Sequence, residues 1–302
     1  MRLASLARLV LLACLWGSSF LFIKVAVEGF SPILIVAIRM LLGAVVLLAL
    51  VAARRERLPA TRRVWVSLGV AALVANVIPY FLFGWGEQRV SSATAGVLNA
   101  TTPLFTVFVA FISRTERVTV AKASGLAMGF VGALLIFAPW HSTGLAGSTT
   151  GRLACLLAAA SYGVAYVYMR RFLTGRGFSP LALAASQLTV GAALAGLATP
   201  VMNHEPITLT LPAVASVLAL GTLGTGVAYV LNYRLIQDEG ATTASTVTYL
   251  LPIVAVLLGA VVLNESIGWH TLVGTAVILL GVAIAEGRVK AEALTEPRTR
   301  GG

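Results

Sequence analysis

Residues 99–132, NATTPLFTVFVAFISRTERVTVAKASGLAMGFVG, return as residues 248–281, TYLLPIVAVLLGAVVLNESIGWHTLVGTAVILLG. The shared residues are few, but they keep one register. Pro103, Glu116, Gly125 and Gly132 recur as Pro252, Glu265, Gly274 and Gly281, each at an offset of 149 (265 − 116 = 149). Working outward, the same offset links Tyr80 to Tyr229 and Gln88 to Gln237. Earlier still, Phe30-Ser31-Pro32 matches Phe178-Ser179-Pro180 at 148, and Lys24 matches Arg170 at 146. Two apolar helices look alike by composition alone, whereas an ungapped register across the last three spans of each half points to an internal repeat.

What lies between the fixed points is apolar. Of 302 residues, 58% are hydrophobic and 11% charged, and the mean hydropathy is +0.93. Soluble domains carry roughly 45–50% apolar and about 25% charged residues, so this chain has too few polar groups to cover a water-facing surface. It reads as an all-α integral membrane protein. Segments near the ~20 residues that cross ~30 Å of hydrocarbon fall at about 6–27, 33–53, 64–84, 91–112 and 119–138 in the first half. In the second half they fall at about 151–171, 180–201, 211–233, 242–263 and 268–286. The start of the chain, with Arg2 and Arg8 before a leucine-rich run, reads as an uncleaved first helix because the apolar stretch continues to Val27.

The charge excess, Lys+Arg 22 against Asp+Glu 11, sits mostly in the short breaks between spans, which argues for membrane orientation over nucleic-acid binding. With the N-terminus inside, 18 of the 22 basic residues are cytoplasmic. Lys24, Arg89 and Arg152 stay outside, and Arg39 lies within the second span. Both termini are then expected in the cytoplasm. Five spans per half is an odd number, so the second copy enters from the opposite face. The expected architecture is ten transmembrane helices as two inverted five-helix repeats, residues 1–142 and 148–287, followed by a disordered cytoplasmic tail, 288–302. Inverted repeats mark secondary transporters, with the substrate site near the midplane between the copies.

The residues that carry a family resemblance are Leu15-Trp16-Gly17-Ser18-Ser19-Phe20 with Lys24, Phe30-Ser31-Pro32, Arg39 in Ile38-Arg39-Met40-Leu41-Leu42, and the twice-repeated Pro–Glu–Gly pattern. With these the chain resembles the EamA-type members of the drug/metabolite transporter superfamily, over everything but the tail. The resemblance implies small-molecule transport, most often export of amino acids and related metabolites, in the bacterial inner membrane. The second half departs from the pattern, with Tyr162-Gly163 for Trp-Gly and Gln187 for the arginine.

Catalysis finds little support. His141, His204 and His270 fall in or beside external connections without a partner at catalytic or metal spacing, and Cys14 and Cys155 each sit in an apolar run. No enzyme activity, metal or cofactor is expected; the partners are a small-molecule substrate and the lipid bilayer. Gly125, Gly129 and Gly132 read as a helix-contact face.

Polar groups facing lipid would go unsatisfied, so Asn76, Tyr80, Asn99, Tyr229, Asn232 and Thr248 are expected around a central substrate site. Arg39 is either a carboxylate-binding cation or an arginine that holds helix-end carbonyls, since a charge at that depth needs a partner or a wet cavity. Lys24, Glu116, Arg170 and Glu265 are candidate charges of the two mouths: Lys24 would meet Glu265, and Arg170 would meet Glu116, as each mouth closes. In the other reading the glutamates start the fifth and tenth helices. Pro79, Pro103 and Pro252 each remove a backbone donor and are candidate hinges. Glu28, Glu87, Glu116 and Glu265 all lie away from span centres, so no midplane proton carrier is expected. A quaternary-ammonium site would be expected to offer a buried carboxylate, and none of these glutamates is near a span centre; a sugar-phosphate site would be expected to offer several buried basic residues, and only Arg39 is available. A zwitterionic or neutral solute of amino-acid size, carried by alternating access, is the favoured cargo over either of these and over a membrane enzyme or scaffold.

Overall fold

Helix starts are written plainly in this chain, and they open the two halves in the same way. Ser31-Pro32 begins a helix at Pro32, and Ser179-Pro180 begins one at Pro180, with the serine at the N-cap and the proline in the first turn, where its missing N–H costs nothing. Ser179 Oγ accepts from Ala182 N at 3.0 Å; Ser91 does the same for Thr94 N at 3.1 Å.

The computed structural model describes residues 3–113, 119–137, 149–173, 177–204, 206–239 and 247–285. The side chains of 136–137, 233, 236–239, 248–249 and 285 are outside that description. The described residues form α1 Leu3–Gly17, α2 Ser19–Ala26, α3 Pro32–Ala53, α4 Arg62–Ala72, α5 Ile78–Glu87, α6 Ser92–Asn99 and α7 Thr102–Ile112. They continue with α8 Val120–Phe137, α9 Thr149–Phe172, α10 Pro180–Met202, α11 Leu211–Gly221, α12 Ala228–Glu239, α13 Val247–Val262 and α14 Trp269–Ala285. A π-helical turn, Leu73–Val77, joins α4 to α5, and a second, Thr222–Val227, joins α11 to α12. Their starts are 149 residues apart (222 − 73 = 149).

Among the described residues, seven continuous helical stretches are long and apolar enough to cross a membrane: Leu3–Ala26, Pro32–Ala53, Arg62–Glu87, Ser92–Ile112, Thr149–Phe172, Pro180–Met202 and Leu211–Asn232. Three shorter apolar helices, Val120–Leu135, Leu250–Val262 and Trp269–Ile284, stand where the fifth, ninth and tenth spans are expected.

Packing pairs elements from the two halves. α3 lies along α10, α8 along α14, α13 against α6 and α1, and α11 against α2. In the α8–α14 pair the backbones meet at glycine. A Cβ on Gly281 would lie 2.7 Å from Gly125 O, and one on Gly132 would lie 2.8 Å from Gly274 O. The fully buried side chains between the other pairs are chiefly aliphatic, among them Met40 and Leu47 of α3, Leu188 of α10 and Leu220 of α11. Large apolar side chains such as Leu41, Val45, Leu157 and Leu197 point outward, as a lipid-facing surface requires.

Candidate functional site: a polar cluster at two π-helical turns

Pro79 alters the hydrogen bonding of the first π turn. In the widened register an N–H bonds the carbonyl five residues back, as Ile78 does to Leu73 O. Pro79 has no N–H, so Val74 O loses its partner. Ser161 of α9 supplies one, its hydroxyl donating to Val74 O at 2.7 Å. At the equivalent place in the second half Ala228 keeps its N–H and bonds Leu223 O directly. Thr225 inside that turn donates its hydroxyl to Leu220 O at 2.9 Å. Such turns are frequent at functional sites, and here each carries one buried polar residue, Asn76 and Thr225, again 149 apart.

Those two residues bind across the halves. Arg39 Nε of α3 donates to Thr225 Oγ1 at 2.8 Å. Gln187 Nε2 of α10 donates to Asn76 Oδ1 at 2.6 Å. Asn76 Nδ2 donates in turn to Tyr80 Oη at 3.3 Å and Tyr229 Oη at 3.4 Å. The Arg39 guanidinium carbon sits 4.0 Å from the centre of the Tyr80 ring, a cation–π contact. Trp16 meets Tyr229 edge-on, with centroids 6.4 Å apart, and Tyr162 stacks on Phe83 at 6.2 Å. Arg39 is 6% exposed and Asn76 is 0% exposed. The arginine that has no twin in the second half thus faces a threonine, while the glutamine standing in its place faces an asparagine.

Of the sequence-derived candidates, the fold brings together Arg39, Asn76, Tyr80 and Tyr229. Asn99, half-buried, has its side-chain oxygen 3.5 Å from Thr102 Oγ1 and lies apart from this network. Asn232, also half-buried, is not joined to it by a hydrogen bond among the described residues. The side chain of Thr248 is outside the described residues. Thr225 and Gln187 were not expected in the site. Their signal was the repeat register: Thr225 is the counterpart of Asn76 at 149, and Gln187 that of Arg39 at 148.

The charges take partners other than those expected. Lys24 Nζ donates to the main-chain oxygens of Glu87 at 2.5 Å and Val90 at 2.9 Å and makes no bond to Glu265. Glu265 caps the N-terminus of α6: Oε1 accepts from Ser92 N at 2.7 Å, and Oε2 from Ser92 Oγ and Ala93 N at 3.1 Å each. It starts the helix from Ser92, not the one that follows it in the chain, because Asn264 (φ +52°) turns the backbone back toward α13. Both charges therefore grip the ends of the Glu87–Ser92 connection. Glu116 lies outside the described residues, and Arg170 is exposed at the end of α9. A helix N-terminus favours an anionic cap, so Glu265→Gln is expected to destabilise the protein by about 1 kcal/mol, within the range of lost N-caps, read as a lowered Tm in detergent.

Pro79 follows the first π turn and Pro103 opens α7 after the break at Ala100–Thr101, whereas Pro252 lies inside α13.

Residues 5–138 and 149–286 each match the EamA-like transporter family. The uncharacterized transporter YoaV of Bacillus subtilis (strain 168) is 27% identical over 269 residues, covering 89% of this chain and 91% of that one. The uncharacterized inner membrane transporter YedA of Escherichia coli (strain K12) is 29% identical over 276 residues, 89% of this chain and 85% of that one. A crystal structure of 22% sequence identity superposes with a TM-score of 0.67, covering 98% of this chain and 100% of its own, and so shares the fold. Two family matches, one in each half of an apolar helical chain, place this protein in the EamA-like transporter family, as a multi-pass membrane protein that transports a small molecule.

Proposed function

We propose that the protein is an alternating-access exporter of a compact zwitterionic or neutral solute, amino-acid sized, in the bacterial inner membrane. In this reading the ten apolar segments all cross, as inverted repeats 1–142 and 148–287, with both termini and the 288–302 tail in the cytoplasm. The observation that carries it is the polar cluster at the two π turns. Arg39 spends Nε on Thr225 and one face on Tyr80; among the described residues its two terminal nitrogens have no hydrogen bond. That leaves the fork of a guanidinium for a carboxylate, the geometry of bidentate pairing. In the same cluster stand the Tyr80 and Tyr229 hydroxyls, joined through Asn76, and the Trp16 ring against Tyr229, surfaces that suit an amine and a small apolar side chain. A phosphate would call for more cations than this one. Cross-half pairing of Arg39 with Thr225 and Gln187 with Asn76 supports a site that rearranges when the halves move, since each bond joins elements of opposite repeats.

The test is uptake of radiolabelled amino acids, a quaternary-ammonium compound and a sugar phosphate into proteoliposomes, against empty liposomes. Amino-acid flux alone is the expected result. Flux of the quaternary ammonium alone would transfer the site to the aromatic rings, and flux of the sugar phosphate alone would defeat the carboxylate reading. Asn76→Ala, which removes the residue bridging Gln187, Tyr80 and Tyr229, is expected to lower flux about tenfold, the loss of one to two net hydrogen bonds at ~0.5–1.5 kcal/mol each.

A further inference from the structure

Glu87 is the last residue of α5 and is wholly enclosed, 0% exposed. Neither carboxyl oxygen has a hydrogen-bond partner among the described residues. Buried polar atoms without partners are uncommon in native proteins and call for a reason. The natural donor is close by, but Lys24 gives its ammonium to the main-chain oxygens of Glu87 and Val90. The groups around the carboxyl are Lys24 from α2, Arg39 from α3, Glu265 from the turn after α13, and Cys155 from α9. α9 also carries the buried Arg152 one turn earlier, and α5 is followed by Arg89, whose guanidinium lies over Trp85. The Cys155 sulfur packs against Gly86.

We propose that Glu87 is a proton-binding site that seals the outer end of the pathway: its carboxyl holds a proton while the helix ends around it are packed, and gives the proton to external water when they separate. An enclosed carboxylate with no donor is far costlier than the neutral acid. Sealing is what encloses it, because the Glu87–Ser92 connection is tied to α2 by Lys24 and to the α13–α14 turn by Glu265. Opening that seal admits water, which can accept the proton and solvate the carboxylate. Ionisable groups enclosed within membrane-spanning segments commonly serve ion pathways. The site lies at a span end, so it agrees with the absence of acidic residues from span centres. Glu87 has no acidic counterpart, since Ile236 occupies its place at offset 149; the switch belongs to one mouth only.

The word "outer" rests on the orientation proposed above; the proton site does not. Infrared difference spectra of the reconstituted full-length protein, wild type minus Glu87→Gln at neutral pH, are expected to show the carbonyl stretch of a protonated carboxylic acid. Glu28→Gln and Glu56→Gln should leave that band in place. The wild-type band should fade on alkaline titration, a readout that needs no variant. In a Cys14→Ala background, external impermeant maleimide labelling of Cys155 should rise between neutral and alkaline pH several-fold more than that of a free thiol. In Glu87→Gln, whose side chain cannot ionise, labelling should rise only as much as a free thiol does. Absence of the band at neutral pH, or its persistence in Glu87→Gln, overturns the proton site; identical labelling profiles overturn its link to the seal. Neither measurement uses substrate, so a failure of transport would leave both intact.

Discussion

An Arg39→Lys protein is expected to fold and to transport at a tenth or less of the wild-type rate. The substitution keeps one positive charge but loses the planar fork, the Nε–H donated to Thr225 at 2.8 Å and the flat contact with the Tyr80 ring. Hydrogen bonds to charged groups contribute ~1.5–3 kcal/mol each, and ~1.4 kcal/mol is tenfold, so a loss of about 10- to 100-fold follows if the fork holds the substrate carboxylate. Thr225→Val separates positioning from binding. It preserves shape and removes the acceptor, and should reduce flux less than Arg39→Lys does. Combining the two should cost little beyond Arg39→Lys alone, because both break the same bond. Equal, additive losses would mean that Thr225 acts independently of the arginine. Full activity in Arg39→Lys would leave the residue as a structural pin between α3 and the second π turn.

Gly281→Val is expected to have the largest effect on stability. A Cβ there would lie 2.7 Å from Gly125 O and 2.8 Å from Gly129 N, both main-chain atoms of α8. Backbone cannot swing aside as a flexible side chain can, so α14 must move off α8 along the length of the pair. Overpacking costs ~1–3 kcal/mol where neighbours can adjust; against backbone the upper end, about 3 kcal/mol, is the expected minimum. Gly132→Val, at 2.8 Å from Gly274 O, should behave alike. The readout is the fraction of monodisperse protein recovered in detergent, together with its Tm. Gly196→Ala is the control, since a Cβ there meets nothing within 4 Å, and alanine favours a helix by up to ~1 kcal/mol over glycine. It should match or exceed the wild type.

Helix starts, helix-contact glycines and the internal repeat were legible before any coordinates, and for local reasons. Proline suits the first turn of a helix, and the apolar runs placed spans at about 33–53 and 180–201, where α3 and α10 begin. Gly125 and Gly132 marked a face that admits another backbone, and α14 occupies it, whereas a Cβ on Gly129 would meet the Leu104 side chain of α7. Four residues of the polar cluster were legible too: Arg39, Asn76, Tyr80 and Tyr229 stood out because a charged or polar side chain in an apolar helix must find an inward partner.

Partnership was not legible. Lys24 and Glu265 carry opposite charge near the same end of the molecule, and charge alone would pair them. The fold gives the lysine to the carbonyls of Glu87 and Val90 and the glutamate to the N-terminus of α6, because unpaired main-chain groups at helix ends compete for charged side chains. Thr225 was not among the expected site residues, and the π turn brings it to Arg39. Glu87 was expected only to lie away from a span centre; the packing of α5 against α2 and α9 encloses it. The sequence by itself determined where helices begin, which faces are apolar and that the plan is used twice, since these depend on period and on neighbours a few residues away. Which donor meets which acceptor depended on groups 63 to 186 residues apart, as in Lys24–Glu87 and Arg39–Thr225. Only the tertiary structure could decide those pairings, because hydrogen bonding falls away within a fraction of an ångström and no periodicity encodes it.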